Sequence, residues 1–259
     1  MDQPQIRLEG DSAGDVYTAF YEHAYEQGWT DGLPIVPPRP EVVARFVEAS
    51  QRAGDEVIGV LPPRKGRATV EVLAVNAVMA GCRPEYMPVI IAAVEGLLDP
   101  AYPLEFMQVT TNPMTPFLLV NGPIRNELEI NYGTGCLGPG WRANATIGRA
   151  IRLIMINAGG ALPGVYSKVS FGSPLRYSYI CGENEEENPW TPFHVDRGFA
   201  KEGERGHRVQ GFQLLQYLRR RGRGSRRDPA PDRHQHAADV WRRRWCAAPP
   251  GRQPRALAV

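Results

Sequence analysis

Apolar positions recur at helical spacing through most of the first two hundred residues. Residues 13–28 place Val16, Phe20 and Ala24 on one face and end at Gly28, which predicts a helix. Residues 41–53 do the same with Val42, Val43, Phe46 and Val47, and Pro40 stands just ahead of the first turn. Thr69 can cap a helix running to Gly81. Its Val72, Leu73, Val75, Ala77, Val78 and Met79 leave almost no polar face, so this helix should be buried. Residues 86–98 are equally apolar, and Asp99-Pro100 breaks them. The longest regular pattern spans 137–160. A loop, Gly138-Pro139-Gly140, leads through Trp141-Arg142 into a face of Ile147, Ala150, Ile151, Ile154, Met155 and Ala158, closed by Gly159-Gly160. Asn144 and Thr146 are residues of N-cap type.

Shorter patterns read as strands: 56–61 closed by Pro62-Pro63, 104–110, the wholly apolar 117–120, and 177–181. Residues 124–130 fit one or two helical turns. Residues 29–40 carry an Asp31-Gly32 turn and four prolines, an extended segment that would cross the surface or line a cleft. Helices alternating with strands predict an α/β fold, layered helices on a mixed sheet, in a single domain over 1–204 that is truncated on its C-terminal side.

Composition changes that picture at one place. The formal net charge is +2, but residues 1–204 hold 16 Lys and Arg against 25 Asp and Glu, whereas residues 205–259 hold 14 Arg, no Lys and 3 Asp. The Arg/Pro-rich stretch 205–259 is expected to be disordered or frame-shifted, with at most a short helix over 210–218. As a nucleic-acid arm it is less convincing, because such arms mix Lys with Arg. The polar N-terminus carries no secretory pattern, and no apolar run has the roughly 18–20 residues that span a bilayer. A cytoplasmic protein is expected.

The chemistry-bearing residues fall into three groups. Cys82, at a helix end beside Arg83, is a candidate nucleophile. Cys136, in the glycine loop, could meet Cys82 as a redox or metal pair. Trp141, Arg142, Asn144 and Thr146 at the start of the long helix could hold an anionic group, with Arg83 and Asp31 as further binding residues. Glu183, Asn184, Glu185 and His194 follow a strand end, where α/β proteins place acid/base groups, and His194 and Glu185 are the candidate bases. The cysteines at 82, 136, 181 and 246 form no CxxC. HExxH, Walker, dinucleotide and GxSxG motifs are absent. No metal ligands are assigned, and the cofactor is unknown.

The strings WTDGLP with Pro37-Pro38, GVLPP (59–63), NAVMAGCRPEY (76–86) and GPGWRANATIGR (138–149) together resemble a bacterial family associated with the UGSC-type (seleno)protein group. The resemblance covers roughly residues 15–200 and implies thiol or selenol redox chemistry, although the UGSC string itself is absent. It also implies further strands and helices beyond 194–199, where this chain departs.

These readings lead to an enzyme or enzyme subunit for a small anionic substrate. Thiol-dependent redox chemistry is favoured. The alternatives are a lyase or hydratase with a His/Glu base, and a non-catalytic subunit covered by a partner or by a second copy of the chain.

Overall fold

A computed structural model describes residues 6–196, residue 198 and the backbone of 212–216. The first half is helical, as its periodicity predicts. Helix α1 (Ala13–Glu26) begins at Ser12, whose hydroxyl accepts from the Asp15 N–H, and buries Phe20 and Ala24. Helix α2 (Pro40–Ser50) starts on its proline and buries Val43 and Phe46. Strands β1 (Val57–Leu61) and β2 (Gly66–Thr69) form an antiparallel hairpin. Strand β2 has no apolar alternation in the sequence, which is why only β1 is legible there. A side chain at Gly66 would put its Cβ 1.9 Å from the Ala158 carbonyl oxygen, so glycine is what lets this hairpin approach the helix end.

Thr69 then caps α3 (Val70–Ala80), accepting from the Val72 N–H at 3.2 Å. A 3-10 turn, Pro84–Tyr86, leads into α4 (Met87–Leu97). Both helices are buried nearly all round, as expected. The predicted strand over 104–110 is instead α5 (Leu104–Val109). Leu104, Phe106 and Gln108 alternate in sequence, yet Leu104, Met107 and Gln108 are buried while Phe106 faces out. The spacing that packs is three to four residues, not two.

After β3 (Pro116–Val120) and the short α6 (Ile124–Glu127) comes α7 (Arg142–Asn157), then β4 (Ile180–Gly182), α8 (Phe193–Asp196) and β5 (Phe212–Gln216). The sheet order is β4-β3-β5. Strands β3 and β4 are parallel, pairing Leu118 with Ile180 and Val120 with Gly182. Strands β3 and β5 are antiparallel, pairing Pro116 with Gln216 and Val120 with Phe212. The architecture is α/β, with helices and a small mixed sheet. Strand β5 lies where a short helix was expected over 210–218. Residues 199–211 and 217–259, including Cys246, lie outside the described residues.

Alternation along the strands divides the interior. Leu118, Val120 and Ile180 join the main core of α2, α3, α4 and α7, while Phe117, Leu119, Tyr179 and Cys181 form a second cluster on the opposite face. Among the described residues, no helix is long and apolar enough to cross a membrane.

Helix α7 holds these parts together through its polar side chains. The Arg149 guanidinium donates to both Asp31 oxygens at 2.8 Å and to the Leu33 and Pro34 carbonyls, fixing the proline-rich segment. Asn157 donates to the Trp29 carbonyl and to Asn76 Oδ1. Arg152, buried, donates to the Arg176 carbonyl and to Thr115 Oγ1 just ahead of β3.

Candidate functional site

Parallel pairing of β3 and β4 brings their C-terminal ends side by side, the place where open α/β sheets form their crevices. Strand β3 delivers Asn121 and Gly122, and β4 delivers Glu183 and the loop behind it. The Glu183 carboxylate, 3% exposed, accepts from the Asn121 side-chain amide. It also accepts from Asn188 Nδ2 at 3.0 Å and from the Phe193 N–H at 3.0 Å. It thereby ties the 188–193 loop and the start of α8 to the strand ends. Glu185 Oε1 accepts from the Gly122 N–H at 2.6 Å and from Arg125 Nε at 3.2 Å. Arg125 holds Glu186 with two further bonds, at 2.7 and 2.9 Å, and stacks over the Tyr132 ring at 4.3 Å. That guanidinium holds the Glu186 carboxyl below its usual range. His194, 1% exposed, brings Nδ1 to 3.8 Å from Glu185 Oε1. Glu185 and His194, predicted as bases, are therefore brought together. Asn184 turns aside to Glu187.

A second group lies on the same sheet face. Cys181 projects beside Tyr179 and Phe117, and Cys136 packs onto that cluster from the 133–140 loop. The neighbouring Cys181 thiol, with the Cys136 and Leu137 N–H groups, lowers the Cys136 thiol to about 7, against the opposing effect of burial. The same proximity, together with burial, holds Cys181 well above the ordinary thiol range. Cys136 is half-buried, with exposed Leu137 and Gly138 directly after it. Asn144 positions this loop. Its Nδ2 donates to the Asn131, Cys136 and Ile180 carbonyls, and its Oδ1 accepts from the Asn131 N–H.

Several expectations change here. Cys82 is 6% exposed at the end of α3, and burial pushes its thiol up to about 12, the reverse of an activated nucleophile. Its expected partnership with Cys136 gives way to the Cys136–Cys181 contact, because Cys136 packs on the far side of the sheet. Arg142 is turned onto the Gly81 and Cys82 carbonyls at 3.0–3.3 Å, closing the end of α3 rather than facing a crevice. Asn144 and Thr146 are not caps, since α7 begins at Arg142 after Trp141. Thr146 Oγ1 donates back to the Arg142 carbonyl. Trp141 stays exposed. Arg83 pairs with Glu129 at the surface, 3.4 Å apart. Asp31 is the buried partner of Arg149, a structural role. The predicted anion cradle is thus largely engaged in internal bonds.

Sequence reasoning overlooked Asn121, Arg125 and the role of Cys181. Asn121-Gly122 directly after the fully apolar β3 was a usable signal, because such a strand end is where polar loop residues converge. Nothing local marks Cys181.

Compared with protein-family models, curated proteins and solved structures, the chain finds no match.

Proposed function

We propose that this chain is a thiol-dependent redox enzyme, or the redox subunit of one, working through Cys136 and Cys181. The observation that carries the reading is the contact between a half-buried thiol on a glycine loop and a buried thiol on β4. The Cys136 thiolate attacks a disulfide substrate, forming a mixed disulfide and releasing one thiol. Cys181 gives up its proton and attacks the Cys136 sulfur, forming the internal disulfide and releasing the second thiol. Two electrons and two protons pass to the substrate. The resemblance to the UGSC-type group points to the same class of chemistry. A small anionic disulfide in the cytoplasm, where such bonds are transient, is the substrate class and setting we favour.

The lyase or hydratase reading has less behind it. Glu185 Oε1 already accepts two hydrogen bonds and His194 is closed off from solvent, so neither is placed to reach a substrate proton. A covering partner or second copy has less behind it too, since the exposed Phe106, Trp141, Phe171 and Trp190 come from separate parts of the chain.

Oxidised glutathione tests the proposal. The reduced chain should yield a Cys136–Cys181 disulfide, Cys181→Ser should trap one glutathione on residue 136, and Cys136→Ser should do neither. Glutathione on Cys181→Ser at another cysteine, or at none, rejects the reading.

A further inference from the structure

We infer that Glu183, Glu185 and His194 form a binding site for one divalent first-row transition cation, at the strand ends beside the thiol pair and independent of it. One ligand atom from each of the three side chains lies within 4.8 Å of the others. Bonds of about 2.0–2.2 Å place neighbouring ligand atoms roughly 3–4 Å apart, so a small side-chain movement closes the set around an ion.

Hydrogen bonding supports this reading independently of the carboxylates. Both ring nitrogens of His194 are buried without a hydrogen-bond partner, and its nearest carboxylate, at 3.8 Å, is beyond bonding distance. Asn121 is a second such case. Its amide nitrogen holds Glu183, and its Oδ1 is a buried acceptor with no partner. A buried polar atom left unpaired costs about 1–3 kcal/mol, and a metal on His194 removes that cost for the coordinating nitrogen. Glu183 is buried and Glu185 half-buried, and Arg125, which pairs with Glu185, is itself shared with Glu186.

The donors are two carboxylate oxygens and one imidazole nitrogen, with no sulfur. That set suits manganese, iron, cobalt or zinc, with water completing the shell. The surrounding bonds have the form of an outer shell that orients ligands: Asn121, Asn188 and the Phe193 N–H on Glu183, and Gly122 and Arg125 on Glu185. The ion would fasten α8 to the ends of β3 and β4.

Cobalt tests the site without relying on redox activity. The full-length reduced chain is stripped with a chelator and titrated with Co²⁺ while visible absorption is recorded. The expected result is one Co²⁺ per chain with d–d bands of oxygen and nitrogen ligation, bleached by Zn²⁺. His194→Gln and Glu185→Gln should each weaken binding about 100-fold, with circular dichroism confirming that the variants are folded. Cys136→Ser should leave the bands unchanged, which separates this site from the redox proposal. Absence of a saturable band in the wild-type chain overturns the inference. So does binding that survives in His194→Gln, or a thiolate charge-transfer band that disappears in Cys136→Ser.

Discussion

At the residue scale, environment sorts three chemically identical thiols. Cys82 and Cys136 both sit next to glycine in the sequence, but one is enclosed by α3 and α7 and the other rests on a loop with a thiol and two N–H donors around its sulfur. Because the thiolate is the reacting species, iodoacetamide labelling of Cys136 should rise with pH through a midpoint near 7, while Cys82 stays unlabelled until the chain unfolds. Cys181→Ala removes the side chain that lowers the Cys136 thiol, so the midpoint should move upward. An unchanged midpoint, measured by mass spectrometry of labelled peptides, would separate Cys136 from Cys181. The carboxylate of Asp31 shows the same dependence on surroundings, being 3% exposed and held by both arms of Arg149. Asp31→Ala leaves that guanidinium without its counter-charge in a mostly buried position. The expected loss is about 3–5 kcal/mol in urea denaturation.

At the element scale, α7 does most of the organising. Gly148 faces the chain leading into β4, and a Cβ there would lie 3.0 Å from the Tyr179 N atom and 2.2 Å from Ser178 Oγ. Gly148→Ala therefore wedges helix and strand apart and should cost about 1–3 kcal/mol in thermal or urea unfolding. Asn144 connects α7 to the Cys136 loop and to β4 through one amide. The Asn131 carbonyl keeps the Gly182 N–H, but Asn144→Ala takes this donor from the Cys136 and Ile180 carbonyls, at about 1–3 kcal/mol, and frees the loop. The same variant should slow disulfide formation between Cys136 and Cys181, read as the rate of thiol loss under oxidised glutathione. A stability change with no change in that rate would show that the loop does not depend on Asn144 for its position.

At the scale of the whole molecule, β3 is central only because both of its edges are covered. All five of its residues are buried, with β4 on one side and β5 on the other. A chain ending at residue 205 loses β5 and uncovers an apolar edge, and it should associate in gel filtration where the full chain does not. A chain ending at residue 220 keeps β5 and should behave like the full chain. Similar elution of the two shortened chains would remove β5 from the fold.

What the amino-acid pattern by itself determined is the local part. Helices α1, α2, α3, α4 and α7 are legible because a 3.6-residue period and caps such as Thr69 act within a few residues. Strand β3 was legible from its unbroken apolar run, and Glu185 with His194 from their place after a strand. Tertiary structure decided the rest. Residues 104–109 follow the packing of Met107 rather than the alternation of Leu104 and Phe106. The parallel pairing of β3 with β4 assembled Asn121, Gly122, Arg125, Glu183 and His194 from segments up to 73 residues apart. It also placed Cys181 on the sheet face that Cys136 covers, leaving Cys82 in the core. Burial of Cys82 and the approach of Cys181 to Cys136 both come from distant segments, and neither is written in the residues flanking a cysteine.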